Sequence, residues 1–363
     1  MTSFDLLPPD REQSIRKLLR ERLDEWLRLS FRHDILVARA VEGLRIETAA
    51  LFDREVVRPL LLAVSSALPS IQPRTGNVVQ DLFPEVARLR AEIERIAGAG
   101  VAVMRSSTER LMEDLARREI RWMASTTQAV TGQAIGTEKV LALLNATPDK
   151  LRQSVWLGDS TEKWFQKALE RPTADAARAW VTTGIKQSLT TDEIVRGLVG
   201  TRTQTGVLDR PRATAKALVR TAATHATTTG RQDSFQAIGV GYWRFTATLD
   251  LRTTLVCSAH DGEIHRVGEG PLPPLHVNCR SVAAPVMSPD EEPIGKRAAL
   301  GGRVPATTTV EDWWRQQSAA DQDLVMGKTR AAAWRAGKLS LKDMLGRDLQ
   351  PLTLDELRRL DRL

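Results

Sequence analysis

The sequence feature that most constrains the fold is a long helical pattern that begins near Phe83-Pro84 and carries its apolar face onward through Trp122. Val86, Leu89 and Ile93 open it at intervals of three and four, which is the spacing of one face of an α-helix. An unbroken helix over this segment has roughly 45 residues and is on the order of 65–70 Å long. Because such a helix cannot cover its own apolar face, the sequence predicts an elongated helical bundle.

Shorter helical patterns surround the long one. An apolar stripe at helical spacing occupies residues 15–27, and Thr190 with Glu193 forms the capping box of a short helix. Further helices are predicted at 160–170, 174–188, 190–199 and 214–238, after Thr309 and Ser318, and at the C-terminus. Gly98 and Gly100 interrupt the long pattern, and we expect a kink there.

Strand signals appear only late in the chain. The segment "VGYWRFTAT" (240–248) is aromatic and β-branched, and "EIHRV" (263–267) follows the turn dipeptide Asp261-Gly262. The predicted fold class is therefore mainly α, an elongated helical bundle, with a small α+β module near the C-terminus and a short helical tail.

Changes in pattern divide the chain into three predicted regions. The first, residues 1–200, is helical; the second, 201–285, is the α+β module; the third, 286–363, is a linker followed by the helical tail. The linker prediction depends on the Pro- and Gly-rich stretch 288–305.

The composition limits the class of protein. The chain has 52 Lys+Arg against 45 Asp+Glu and a pI of about 9.7, which is a weak indication of nucleic-acid contact. Two cysteines cannot form a disulfide framework, so a reducing compartment is expected. The longest apolar run, 59–69, is too short to span a bilayer, and the N-terminus lacks the pattern of a secretory signal. We therefore expect a soluble protein without membrane contact.

One group of residues has the composition and spacing of a metal site. Two residues separate Cys257 from His260, and two residues likewise separate His276 from Cys279. Fifteen residues lie between the two pairs. Zinc prefers sulfur and nitrogen ligands, and this spacing is typical of small zinc modules. The sequence therefore predicts one structural zinc, while the alternative interpretation is a buried, metal-free cluster.

Two enzymatic interpretations of the same residues stay open. A cysteine next to a histidine could act as the nucleophile of a thiol hydrolase. The string "HVNC" (276–279) could instead belong to a metal-dependent nuclease, although the acidic ligands of a hydrolytic metal site are missing from it.

The order of motifs resembles the phage minor head protein family, the Mu F-like or head morphogenesis group. The motifs are Arg220-Thr221, Tyr242-Trp243, "LDLRT" (249–253), "CSAHDG" (257–262) and "PPLHVNCR" (273–280). The specific similarity covers residues 214–285. One departure is that the first cysteine pair of many relatives is here Cys-x2-His.

This resemblance implies a structural rather than an enzymatic protein. It implies a low-copy virion component, inside the capsid or at the portal, that is present in the host cytoplasm during assembly. The implied partners are the portal protein and, secondarily, scaffold or coat protein. The implied roles are procapsid assembly and DNA packaging or ejection, and the basic loop 201–212 would make non-specific contacts with DNA.

Overall fold

The structure, a computed structural model, describes residues 9–71, 84–153 and 158–362; Phe83 lies outside these ranges. The helices are α1 (Pro9–Glu21), α2 (Leu23–Phe52), α3 (Arg58–Ile71), α4 (Pro84–Thr131), α5 (Thr137–Gln153), α6 (Thr161–Phe165), α7 (Arg171–Lys186), α8 (Thr191–Val199), α9 (Asp209–Ile238), α10 (Leu255–His260), α11 (Val310–Arg315), α12 (Ala319–Met326), α13 (Lys328–Arg335) and α14 (Leu354–Arg359). The strands are β1 (Tyr242–Thr246), β2 (Ile264–Arg266), β3 (Val282–Val286), β4 (Lys296–Ala299) and β5 (Gly302–Pro305). The predicted mainly helical fold with a small α+β part is confirmed.

The long helix is present and unbroken. Helix α4 has 48 residues and is continuous through Gly98 and Gly100; the kink expected there stays a prediction. A Cβ atom on Gly100 would lie 2.5 Å from the carbonyl oxygen of Glu55. Glu55 belongs to a π-helical turn, Asp53–Val57, between α2 and α3. Gly100 therefore serves close helix packing.

The described chain forms two compact units. Unit 1 combines residues 1–37, 114–151 and 224–363, and unit 2 combines 38–113 and 152–223. Each unit thus draws on segments far apart in the sequence. The three regions predicted from the sequence stay a prediction.

The N-terminal stripe is part of the core of unit 1. Ile15, Leu19 and Trp26 are fully buried in one cluster with Trp243 and Phe245 of strand β1. A second cluster joins residues 249–259 to the tail, where Trp313 and Trp314 are buried. Its members include Leu249, Leu255, Ala259, Trp313, Trp314, Trp334, Met344 and Leu357. The N-terminal helices and the tail therefore share their hydrophobic cores with the α+β part.

The sheet of unit 1 is small and antiparallel. Its strand order is β2-β1-β3, with Trp243 opposite both His265 and Pro285. The sequence predicted β1 and β2 but not β3, whose Ala- and Pro-containing segment is a weak strand signal. Proline is acceptable there because β3 is an edge strand.

Two further segments differ from the predictions. Part of the stretch predicted as a linker forms the β4–β5 hairpin, with Arg297 opposite Val304. Helix α5 was missed, and it contains Pro148 in its interior, which argues against a helix at the level of sequence.

Unit 2 consists of helices packed at short distances. A Cβ atom on Gly184 would lie 2.5 Å from Ile194, and one on Gly197 would lie 2.0 Å from the ring of Trp180. Trp180 also donates its indole N–H to the carbonyl of Ile194 at 2.8 Å. These contacts join α7 to α8. The capping box of Thr190 and Glu193 is present at the start of α8, as predicted.

Within the described ranges, the structure contains no helix with the length and hydropathy needed to cross a bilayer.

Candidate metal centre

The first predicted ligand pair lies on the short helix α10. Thr254 caps this helix, and its hydroxyl oxygen accepts the backbone N–H of Cys257 at 3.4 Å. Cys257 belongs to the core beneath the sheet, whereas Leu255 and Ala259 belong to the core shared with the tail. The helix is thus held on two sides, which fixes the direction of the Cys257 side chain.

The second pair lies on a tight turn. The backbone N–H of Cys279 donates to the carbonyl of His276 at 3.2 Å. Asn278 has a φ of 69°, a left-handed conformation that asparagine tolerates better than most residues. The hydroxyl of Thr224, on α9, donates to the carbonyl of Cys279 at 3.1 Å. This turn places the side chains of His276 and Cys279 on the same side as Cys257.

Three of the four predicted ligands come together. The Sγ of Cys257 is 3.1 Å from Nε2 of His276 and 3.7 Å from Sγ of Cys279, and the three ligand atoms lie within 4.8 Å of one another. Both cysteines are free thiols and buried. Two thiolates bound to one tetrahedral zinc at about 2.3 Å lie roughly 3.8 Å apart. The sulfur separation therefore fits a zinc ion and is far too long for a disulfide.

The orientation of His276 also suits a metal. Its Nδ1 lies 2.9 Å from the carbonyl oxygen of Val277, and because a carbonyl can only accept, Nδ1 carries the proton. Nε2, the nitrogen that faces Cys257, is then left with its lone pair. Metal-bound histidines commonly donate their other N–H to a carbonyl in this way.

The thiols influence each other strongly. Hydrogen bonding from Cys257 and the nearby His276 lower the pKa of Cys279, against the opposing effect of burial. Hydrogen bonding to Cys279 and burial raise the pKa of Cys257. Burial is the largest single influence on His276 and lowers its pKa, but the hydrogen bond and the charge of Cys279, together with the hydrogen bond to Val277, raise the pKa overall. The cluster thus favours one thiolate even without a cation.

Two of the sequence motifs meet beside the cluster. Arg280, directly after Cys279, forms a bidentate ion pair with Asp250 of "LDLRT", with one N–O distance of 2.7 Å. Asp250 also accepts the backbone N–H of Arg252 at 2.9 Å and the hydroxyl of Thr253 at 3.3 Å. This pair fixes the end of the His276 turn. Sequence reasoning did not identify the pairing, although both residues lie in the quoted motifs.

His260, the fourth predicted ligand, lies outside this group. Its Nδ1 is 2.6 Å from Oε2 of Glu263. The same carboxylate is 3.3 Å from Nε2 of His265 and 2.5 Å from Nζ of Lys342. His260 therefore belongs to a separate polar cluster, which links the start of strand β2 to the tail.

The Asp-Gly turn after α10 is the centre of a buried ion pair. Asp261 binds Arg297 of β4 through two contacts, one of them 2.9 Å long. Its carboxylate also accepts the backbone N–H groups of Ala247 at 2.9 Å and Val310 at 3.0 Å. Asp261 thus joins the sheet, the hairpin and the first helix of the tail. The sequence predicted the turn but not this interaction.

The predicted basic loop is shorter than expected. Helix α9 begins at Asp209 rather than near residue 214. Arg212 is bound to Asp53 and Asp209, while Arg202 and Arg210 are exposed.

Fold and site together define a mainly helical protein whose small α+β part carries a Cys-His-Cys group able to hold a metal. Comparison with protein families gives one match: residues 146–284 match the family described as Phage Mu protein F like protein. No curated protein and no solved structure matches the chain. The match confirms the resemblance drawn from the motifs and extends it toward the N-terminus. Residues 146–284 are thus similar to the Mu F-like family.

Proposed function

We propose that the protein is a structural minor head component of a tailed phage. It associates with the portal protein, acts in procapsid assembly and in DNA packaging or ejection, and becomes part of the virion. The family match supports the phage head assignment. The portal and DNA roles are proposed because the resemblance of the motifs implies them.

The positions of the motif residues support an architectural role. Asp250 and Arg280 bind each other, and Asp261 binds Arg297 and two backbone N–H groups. Cys257 and Cys279 are buried. The motif residues are thus occupied in joining segments of unit 1, and residues used in this way are expected to act on structure rather than on a substrate.

We place portal binding on the helices of unit 2. Ile46 and Leu62, on α2 and α3, are each 71% exposed. We propose that they contribute to one apolar surface for a protein partner, because contiguous exposed apolar surface marks interaction sites. The test uses the full chain, because the core of unit 1 includes the N-terminal helices and a truncated protein would lose it. Tagged protein is incubated with the portal protein of the same phage, and co-purification is measured.

The matched control lies in unit 1. Ile46→Glu combined with Leu62→Glu should abolish capture of the portal, whereas Leu324→Glu, at a residue 76% exposed on α12, should leave it unchanged. The reverse result would place the binding surface on unit 1 and contradict this proposal.

We further propose that Cys257, His276 and Cys279 hold a structural zinc. When bound, the ion would crosslink α10 to the His276 turn, and such sites contribute directly to folding stability. Purified protein should contain about one zinc per chain. Cys279→Ser should lower both the zinc content and the melting temperature, while Ser318→Ala, at a helix cap far along the chain, should leave the zinc content unchanged. If the purified protein contains no zinc and a chelator does not change its melting temperature, the proposed zinc site is refuted.

A catalytic role is the second candidate, because a cysteine Sγ lies within 3.1 Å of a histidine nitrogen. Burial of both thiols argues against a thiol hydrolase, since a nucleophile must reach its substrate. For a nuclease, incubation with single- and double-stranded DNA and divalent metal is the direct test. We expect no cleavage; cleavage that is lost in His276→Ala would favour the enzyme.

DNA contact is proposed for the loop before α9. Arg202 in this loop and Arg210 in the first turn of α9 are exposed, and contacts of arginine with phosphates weaken steeply with salt. DNA binding by the full chain should decrease in the double variant Arg202→Ala, Arg210→Ala. The control is Arg28→Ala with Arg32→Ala, two exposed residues of α2. If both double variants reduce DNA binding equally, the loop has no specific role in DNA contact.

A further inference from the structure

The strongest further signal is the separation of His260 from the other predicted ligands. Among the described residues, the group that could hold a metal consists of Cys257, His276 and Cys279. Zinc is four-coordinate in most protein sites, and a site with three protein ligands keeps a position for a ligand from outside. We propose that this site is open, and that its fourth position takes a small monodentate nitrogen donor from solution. The inference rests on the proposed zinc.

The first argument is the fixed position of His260. Its Nδ1 contacts Glu263 at 2.6 Å, and Glu263 is held in turn by Lys342 at 2.5 Å. The side chains of His260 and Glu263 are 14% and 22% exposed, so this charged cluster is largely removed from water. The contact leaves Nε2 of His260 without a hydrogen-bond partner among the described residues, but no nitrogen of His260 lies within 4.8 Å of all three ligand atoms. In this arrangement His260 positions Glu263 and is not a fourth ligand.

The second argument is access. The two sulfur ligands are buried, but the turn that carries His276 lies at the surface, where Val277 is 37% exposed and Asn278 is exposed. A ligand from solution can therefore approach from the side of this turn. A closed structural zinc, by comparison, offers no coordination position to solution.

The third argument is charge. A divalent cation with two thiolates has no net charge, so the site can accept a neutral or a singly negative fourth ligand. Arg280, directly after Cys279, adds positive potential beside the cluster, although its ion pair with Asp250 partly neutralises it. Nitrogen donors are among the ligands that zinc prefers. Imidazole and azide are suitable neutral and anionic probes.

Cobalt replaces zinc in the full-length protein to provide a visible spectrum. We expect cobalt–thiolate absorption that azide and imidazole shift in a saturable manner. His260→Ala should retain both the spectrum and the azide response. The matched control is His265→Ala, which removes a contact with the same Glu263 but alters no predicted ligand. Circular dichroism shows whether each variant is folded, and His260→Gln provides a less disruptive change.

The outcomes separate this inference from the zinc proposal. If azide and imidazole leave the wild-type spectrum unchanged, and His260→Ala and His260→Gln lose it while His265→Ala does not, the site is a closed tetrad. The open-site inference is then wrong, and the structural zinc stands. If wild-type protein binds neither zinc nor cobalt, the zinc proposal fails and the open site fails with it.

Discussion

The two units hold their helices together by different means. In unit 1, charges are buried between elements: the side chains of Arg231 and Glu119 are 7% and 1% exposed, and those of Arg297 and Asp261 are 9% and 1% exposed. In unit 2, the described ion pairs each include a well-exposed side chain, as in Arg220 with Glu42 at 10% and 55%. Helices of unit 2 also approach closely at glycines such as Gly100, although a similar contact occurs in unit 1 between Gly230 and Ala116.

This difference has physical consequences. A buried charge without its partner is strongly unfavourable, so ion pairs in unit 1 determine which elements can meet. Arg231 of α9 binds Glu119 of α4 and Asp34 of α2 at 2.7 Å each, and Glu119 also contacts His33. At the close glycine contacts of unit 2, by comparison, there is no free space for an added side-chain atom. The two units should therefore respond to opposite kinds of substitution.

Removal of a buried charge in unit 1 should have the largest effect. Arg297→Met leaves Asp261 buried without its counter-ion, and we expect a loss of about 3–5 kcal/mol of unfolding free energy. Hydrogen exchange measured by mass spectrometry reports each unit separately. The control in unit 2 is Lys167→Ala, which removes an exposed partner of Asp159 and should cost about 1 kcal/mol or less. Similar losses from both variants would remove the distinction between the units.

Acid should also act more strongly on unit 1, because His225, whose pKa is lowered, belongs to it. Burial lowers the pKa of His225 from 6.5 to about 4. Between these values the unfolded chain binds a proton that the folded chain does not, so stability decreases as the pH falls from 6.5 toward 4. The slope is at most about 1.4 kcal/mol per pH unit.

The test compares denaturant unfolding at pH 7 and pH 4.5 for wild type and His225→Gln. Carboxylates titrate in both proteins, so the difference between the two pH-dependent losses isolates the histidine. The variant should lose on the order of 2 kcal/mol less than wild type. An equal loss would show that His225 is protonated without cost in the folded chain.

Added volume should destabilise unit 2. In Gly100→Ala the new Cβ would lie 2.5 Å from the Glu55 carbonyl oxygen and 2.6 Å from Val56, and we expect a loss of about 1–3 kcal/mol. Gly43→Ala is the matched control, because no atom lies within 4 Å of its Cβ position on α2. That change should stabilise the helix by about 0.5–1 kcal/mol. Thermal melts of both variants check the opposite signs.

Local features were the ones predictable from sequence. The long helix α4, the capping box at Thr190, the helix that follows Thr309, and strands β1 and β2 depend on neighbouring residues. Strand β3 depends instead on pairing with β1 across forty residues of sequence, and its own composition does not favour a strand. The same holds for the role of Gly100, which depends on the approach of Glu55.

The candidate site shows the same division. Residue types and the x2 spacings indicated Cys257, His276 and Cys279 as ligands, and these three do meet. The spacing could not indicate that Glu263 and Lys342 hold His260, because Lys342 is distant in sequence. The pairing of Asp250 with Arg280 was missed for the same reason.

The smallest expected effect compares two equivalent caps, one in each unit. Thr190 and Thr353 begin α8 and α14, each with a complete capping box and each before a helix anchored by a buried residue, Ile194 or Leu357. Because a cap is a local interaction, Thr190→Ala and Thr353→Ala should each cost about 1 kcal/mol, whatever holds the rest of the unit. Hydrogen exchange at the first turn of each helix measures the loss, and Thr→Ser at each position should restore most of the protection. A much larger loss at one cap would mean that the helix terminus there is coupled to the buried contacts of its unit, and the contrast between the units would then extend to their local structure.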